Sequence, residues 1–444
     1  MIKAEQQASW IQQQLNQAQK ALPGGDIDWL NDSRRQARQS LSRLPVLDRK
    51  LEAWRYTSVE ALMNTPFVAV SDDPSIVERF NLEVLGLPAT DAYRLVFING
   101  RWVEHLSALD GLPEGVQVDS LRDRLVNDPQ SLALWLGQVA RHDTNVFTAL
   151  NSALIEDGLY LHLDAGVILD KPVEVVHFCC ADELPIAVQP RNLVVIDSGA
   201  SATLVEYFVS EKQEQYFHNT IYEIVVGEKA SLNHYRIQNE AKRAFHLSNL
   251  YLSQDADSHY QGVTLAFGGA WARTDYHTSF RRPGADCQLA GLYTVGDQQL
   301  TDFHLDVHHN VPGCTSREQF KGILYGNGRA VFDGYVLVEK DAQQSNAELT
   351  NDNLMLTRNA EIDTKPQLVI HADDVKCSHG TTVGQIEPEQ IFYLRSRGID
   401  AQQAYRMLSL GFAGEVIDTI QLEPVREFAY DTLKQTLSHA IEGR

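Results

Sequence analysis

The rhythm of apolar and polar positions changes twice along the chain. Up to about residue 150, apolar residues recur mainly at helical spacing. Trp10, Ile11, Leu15 and Ala18 stand out on a Gln-rich background and predict a surface helix packed on its own domain. The stretch SRRQARQSLSRLPVLDRKLEAWRYTSVEALM keeps a helical period that breaks at Pro45. YRLVFINGRWVEHL is different. Two β-rich runs flank Asn99-Gly100, a dipeptide that tolerates positive φ, and a hairpin is predicted. From about 156 to 375 the long helical patterns stop. Short alternating or apolar runs such as LYLHL, VEVVHF, NLVVID, TLVEYF, IYEIVVG, FKGILY, DGYVLVE and QLVIHA take over, divided by glycine and polar turns, and predict strands. From about 386 the helical period returns. Asp400 is placed to cap a helix beginning at Ala401, and Pro424 begins or breaks the last helix. Leu408, Phe412, Val416 and Ile420 share one helix face; such a stripe serves either as intramolecular core or as a docking face.

A weak repeat runs through the strand-rich zone. An alanine follows a turn-like residue and precedes a strand-like run at Ala200, Ala230, Ala256, Ala285, Ala330 and Ala360, with spacings of 30, 26, 29, 45 and 30 residues. The long gap reads as an insertion, LTDFHLDVHHNVPGCTSREQ. Coils of this length, each with a small residue at one corner, predict a β-solenoid. The alternative is a β-sandwich with chance alanines.

Size and charge narrow the classes. A chain of 444 residues is several domains or one elongated repeat architecture. Its 43% hydrophobic and 22% charged content supports a substantial core. The net charge of −21 repels phosphate backbones and makes nucleic acid a poor partner. Five cysteines without a CxxC pair form neither a disulfide framework nor a zinc ribbon, and suggest reduced thiols in the cytoplasm. The opening MIKAEQQASWIQQQLNQAQKAL has no long apolar run, so neither a signal peptide nor a membrane span is expected there.

The candidate chemistry is concentrated in HADDVKCSHGTTVGQ, residues 371–385. In an extended strand Cys377 and His379 face the same way, and thiolate and imidazole then approach one soft metal ion. Lys376 is adjacent and would favour the thiolate if its ammonium lay close. Two ligands are half a tetrahedral site; the rest would come from His371, another chain, sulfide or solvent. From chemistry alone the pair reads first as a buried Cys and a hydrogen-bonding His at the junction from strand to helix. HLDVHH brings His304, Asp306 and His308 to one strand face, followed by His309 and Cys314, as a metal cluster or a polar sheet face. The vicinal Cys179-Cys180 faces opposite ways in a strand and predicts buried packing. Asp302 and Asp333 could imitate the acid pair of a β-helical polysaccharide enzyme. No GxxxxGK[ST], GxSxG or HExxH occurs.

Residues 372–399, ADDVKCSHGTTVGQIEPEQIFYLRSRGI, closely resemble the signature of the SufD family, as do RKLEAWRYT (49–57) and ALNSALIEDGLYLHL (149–163). The similarity covers nearly the whole chain. It implies a mainly β fold: a central right-handed parallel β-helix over 151–385, flanked by a mostly helical N-terminal domain with a small hairpin (1–150) and a C-terminal helical domain (386–444). The implied role is a non-enzymatic, cytoplasmic scaffold subunit for iron–sulfur cluster assembly, with neither nucleic acid nor membrane as partner. Its partners would be a SufB-like paralogue, paired through the β-helices, and the ABC-type ATPase SufC, held by the C-terminal domain. Leu408, Phe412 and Val416 are the docking candidates there. The family pattern makes Cys377 and His379 ligands of a transient iron–sulfur cluster shared with the partner, with no cofactor tightly bound to the isolated chain and a homodimer as its implied form alone. SufB-like chains often carry an N-terminal cysteine motif, whereas the first cysteine here is Cys179. No motif assigns residues to a flavin.

Overall fold

The structure is a computed structural model that describes residues 3–17, 22–71, 74–181, 184–211 and 213–442. Its centre is a parallel β-solenoid, as the repeat predicts. Two ten-stranded sheets face one another, and successive strands alternate between them. In register, Ser201, Ser231, His259, Asp286, Thr315, Asn346 and Lys376 stack as the first or second positions of successive coils of one sheet. Among the named strands only two pairs are antiparallel, Tyr93–Ile98 with Arg101–Trp102 and Val116–Ser120 with Leu159–Leu163.

The corner residue just before that stack is small and buried in the six coils that precede the last: Ala200, Ala230, Ser258, Ala285, Cys314 and Ser345; before Lys376 the half-buried Val375 stands there instead. Each of the six small residues follows a residue with positive φ, supplied by Gly199, Lys229, Asp257, Gly284, Gly313 and Gln344. The left-handed residue turns the chain sharply, and only a small side chain fits behind it. This corrects half of the sequence repeat. Ala256 lies in the turn, two residues before the true corner at Ser258. Ala330 pairs with Thr301 in the other sheet, and Ala360 precedes a strand of that same sheet. The apparent insertion is an ordinary coil, with strands Leu300–His309 and Thr315–Leu324 and its corner at Cys314. Serine and cysteine fill the corner as well as alanine does, so a search for alanine alone breaks the period.

Both outer faces of the solenoid are covered. C-terminal helices Ala401–Ile417 and Glu423–Glu442 lie over one sheet, where Val416, Ile417 and Ile420 join Val205, Tyr207, Tyr235 and Ile237 in one cluster. N-terminal helices lie over the other, where Trp10, Trp54 and Phe147 meet Phe217, Phe245 and Trp271. The helix Ala4–Gln17 buries Trp10 and Ile11 within the chain, against Phe147 of the N-terminal zone and also against Phe217 of the solenoid, so it packs on more than its own zone; Leu15 is partly buried against the same cluster. Ala18 lies outside the described residues. The hairpin forms at Asn99-Gly100, with φ of 51° and 77°. Its first strand also pairs in parallel with Val173–Cys179, so the sheet starts inside the N-terminal zone.

Candidate functional site at the open end of the solenoid

The last coil consists of Glu361–Ile370 and Lys376–Gly384. Each is the final strand of its sheet and pairs on one side only, with Arg329–Val338 and Asn346–Met355 respectively. Among the described residues no further coil covers them. All of Lys376–Gly384 except Cys377 is exposed. A row of unpaired backbone donors and acceptors at such an edge is a template for another strand.

Register fixes where the candidate ligands point. Cys377 pairs with Ala347 and His379 with Leu349, both core residues. Parallel strands in register turn equivalent side chains the same way. Cys377 and His379 therefore share the inner side of the strand, at the mouth of the solenoid. Cys377 is half-buried and packs at the end of the core, whereas His379 is exposed. Thr381 completes this side: its hydroxyl donates to Asn351 O (2.9 Å) and lies 3.2 Å from Thr364 Oγ1 across the coil. Burial pushes the Cys377 thiol up. Alternation sends Lys376 to the opposite face, so it does not supply the thiolate-favouring contact considered from the sequence. His371 sits exposed just after the strand Glu361–Ile370.

Deeper in the solenoid lies a polar network that the sequence reading missed. Glu206 is fully buried and accepts from His177 Nε2 (3.2 Å), His234 Nε2 (2.7 Å), Arg236 Nε (3.3 Å) and the Tyr222 hydroxyl. Burial pushes its carboxyl up, but the histidines and Arg236 outweigh that and hold it well below the carboxylate range. Arg236 Nη2 donates to Ser248 Oγ (2.7 Å), which lies 2.8 Å from His246 Nε2, and His246 Nδ1 lies 2.9 Å from Glu240. The available signal was a lone Glu, His or Arg inside otherwise apolar runs: VVHF, LVEYF, NHYRI.

The other candidates resolve into structural roles. His304, Asp306 and His308 do share an outer strand face, but their donors do not converge. His304 Nε2 is 3.0 Å from Asp302 and His308 Nε2 is 2.7 Å from Asp306, each imidazole taken by its own carboxylate. His309 points inward, 3.0 Å from Ser316 Oγ, and burial lowers it to about 4. Asp302 is buried against Arg273 (3.0 Å) and the Thr57 hydroxyl. Burial raises its pKa, but His304 and Arg273 outweigh that and leave it lowered, the opposite of a general acid paired with Asp333. Cys179 and Cys180 enter different buried clusters, as their alternation requires.

In the C-terminal helices Asp400 caps as expected, accepting from Gln403 N at 2.9 Å. The proposed docking stripe needs correction. Val416 is fully buried against the solenoid and cannot meet another protein. Phe412 is half-buried with the Lys321 ammonium 4.6 Å above its ring, and Leu408 is half-buried. The stripe is mostly intramolecular because the sheet beneath is itself apolar on its outer face. The exposed apolar residues are Phe392 (75%) and Tyr393 (56%) on Pro388–Ser396, a helix that buries no residue, and Met407 (45%) on the next helix. Among the described residues no helix is long and apolar enough to cross a membrane.

Comparison with known proteins accounts for most of the chain. The profile of the SufBD core domain of SUF system FeS cluster assembly matches residues 178–412, and that of the SufBD protein N-terminal region matches residues 5–175. The iron-sulfur cluster assembly protein SufD of Escherichia coli is 33% identical over 404 residues, covering 90% of this chain and 91% of that protein. An iron-sulfur cluster assembly SufBD family protein of Synechocystis is 33% identical over 417 residues, covering 91% and 90%. Protein ABCI7, chloroplastic, of Arabidopsis thaliana is 30% identical over 427 residues, covering 90% and 88%. With two profiles spanning core and N-terminal region, and relatives matched across nine-tenths of its length, the chain belongs to the SufBD family of iron–sulfur cluster assembly proteins.

Proposed function

We propose that the chain is a non-catalytic scaffold subunit on which an iron–sulfur cluster is assembled at the mouth of the solenoid. The observation that carries this reading is the pairing of Cys377 and His379 on the inner side of an edge strand that no coil covers. One thiol and one imidazole are half of a tetrahedral iron site, and a second chain docked on the same edge would complete it. A SufB-like paralogue is the natural second chain, joined by strand addition to Lys376–Gly384 and Glu361–Ile370; a second copy of this chain takes the same place when it is alone. The nascent cluster is cargo here, held between subunits and passed on.

The second part of the proposal concerns 386–444, read as the docking domain for a SufC-like ATPase in the cytoplasm. Its support is the exposed Phe392 and Tyr393 on a helix with no fully buried residue, packed only lightly on its neighbour Ala401–Ile417. Exposed aromatics of this kind anchor protein interfaces. ATP-driven movement of the docked ATPase would then act on the solenoid end through the helices that cover it.

The test is anaerobic reconstitution of the three-protein complex with wild type and with His379→Ala. Unchanged assembly of the complex with reduced cluster yield is the expected result. A normal yield from His379→Ala and Cys377→Ala removes the ligand role. Failure to recover an ATPase and a paralogous subunit in an affinity pull-down from cells that express both removes the scaffold reading itself.

A further inference from the structure

A second group of metal-ligating side chains lies on the outer face of the other sheet, far along the chain from Cys377. His162, Asp164 and Asp197 bring one imidazole nitrogen and two carboxylate oxygens within 4.8 Å of one another. The fold makes this juxtaposition. His162 is on the strand Leu159–Leu163, where Leu161 and Leu163 point into the core and His162 points out. Leu163 pairs with Ile196, so Asp164 and Asp197 occupy the same step of adjacent coils, and Asp197 N donates to Leu163 O at 3.0 Å. The coil repeat thus stacks two carboxylates beside one imidazole.

Two features set this group apart from an ordinary polar patch. Like charges on neighbouring rungs repel, and a cation between them relieves that repulsion. Among the described residues no lysine or arginine pairs with Asp164 or Asp197; the nearest partner of Asp197 is His162 Nε2, at 3.0 Å. Arg124, over the adjacent Tyr160 ring at 4.8 Å, is already committed to Asp119 (3.6 Å) and Asp128 (3.7 Å). Second, the imidazole is oriented from outside the group. The hydroxyl of the buried Tyr160 lies 3.4 Å from His162 Nδ1, which directs Nε2 towards the carboxylates. A partner on the remote ring nitrogen is the usual support of a ligating histidine.

We propose that His162, Asp164 and Asp197 bind a first-row divalent transition ion, with ferrous iron the ion for which the proposed function, on which this choice of metal rests, has a use. Imidazole favours such ions over magnesium and calcium, which take oxygen ligands. Bonds of about 2.1 Å at right angles, as in an octahedral site, place neighbouring donors of one ion about 3 Å apart, the separation already present between His162 and Asp197. Three protein donors on an exposed face leave the remaining positions to water, so iron held here stays exchangeable.

The test is titration of the full chain with Co(II), read by its visible absorption, and with Fe(II) under anaerobic conditions. One equivalent per chain is expected, undisturbed by millimolar Mg(II). His162→Gln and Asp164→Asn should each weaken binding at least tenfold, while Cys377→Ala/His379→Ala leaves it unchanged. Asp164 is exposed, so Asp164→Asn keeps the fold even if His162→Gln does not, and circular dichroism checks both. No saturable binding, binding equal in wild type and Asp164→Asn, or loss only with the Cys377/His379 double variant would overturn the site. A chain that binds Co(II) through Asp164 but does not support cluster assembly keeps this site and loses the proposed function; a working scaffold that binds no ion here does the reverse.

Discussion

Glu206 and Arg236 stand in register on adjacent strands inside the solenoid, with Arg236 Nε 3.3 Å from Glu206 Oε2. Both are fully enclosed, so neither charge has water to fall back on. Arg236→Met leaves Glu206 without its one permanent cation, held only by His177, His234 and Tyr222, and Glu206→Gln leaves Arg236 without a carboxylate. Removing one member of a buried pair costs about 3–5 kcal/mol. The Glu206→Gln/Arg236→Met double variant should cost clearly less than the two single losses added, because the members are coupled. Urea unfolding measures all three, and strict additivity would mean that the pair does not act as a unit.

Glu318 is the converse case. It occupies the buried inner position between Leu289 and Leu349, and neither oxygen has a hydrogen-bond partner. Burial raises its pKa from 4.5 to about 8. The folded chain therefore holds this proton when the unfolded chain has released it. The contribution of Glu318 to stability should be complete below pH 4.5 and fall between 4.5 and 8, at up to about 1.4 kcal/mol per pH unit, then level off. Glu318→Gln removes that slope. Urea midpoints of variant and wild type should diverge from pH 5 to 8; parallel curves would show that Glu318 finds a partner when ionised.

These interior groups also mark the limit of what the sequence discloses. The solenoid itself was legible, because strand-length runs recur about every 30 residues. The hairpin at Asn99-Gly100 and the cap at Asp400 were legible from local chemistry. Glu206 and Arg236 were not, for a physical reason: both faces of their sheet are buried, the inner by the lumen and the outer by the C-terminal helices. Val205 and Tyr207 face out yet are as buried as Leu204 and Phe208. Alternation of polar and apolar residues then carries no direction, and a buried Glu looks like a surface one. The same covering explains Val416, whose helical stripe reads first as intramolecular core and only second as a partner surface. Strand alternation puts Cys377 and His379 on one side, and the family resemblance singled them out as ligands; only the register with Ala347 and Leu349 shows that this side is the inner one.

Cys377 tests that placement directly. Its thiol is raised by burial, so little thiolate is present near neutrality. Alkylation by iodoacetamide should be slower at pH 7.5 than for a free thiol, and its rate should still climb steeply above pH 9. The four remaining cysteines are buried and should react only on unfolding. Docking of a partner on the terminal strand should protect Cys377 as well. Fast labelling at pH 7 would mean that the thiol lies outside the core column.

The C-terminal helices offer a contrast within one small domain. Val416 has no exposure and sits in the cluster that fastens the helices to the solenoid, whereas Phe392 is 75% exposed on a helix that buries nothing. Val416→Asp places a charge in that cluster and should cost roughly 3 kcal/mol or more, seen as early loss of the C-terminal helices in thermal unfolding. Phe392→Ser should change stability by less than about 0.5 kcal/mol. If this helix docks the ATPase, the same substitution should weaken that complex at least tenfold by isothermal titration, since truncating an aromatic anchor commonly costs about 2 kcal/mol. Unchanged affinity in Phe392→Ser and Tyr393→Ser, with folding intact, would move the docking surface off this helix and towards the half-buried Leu408 and Phe412.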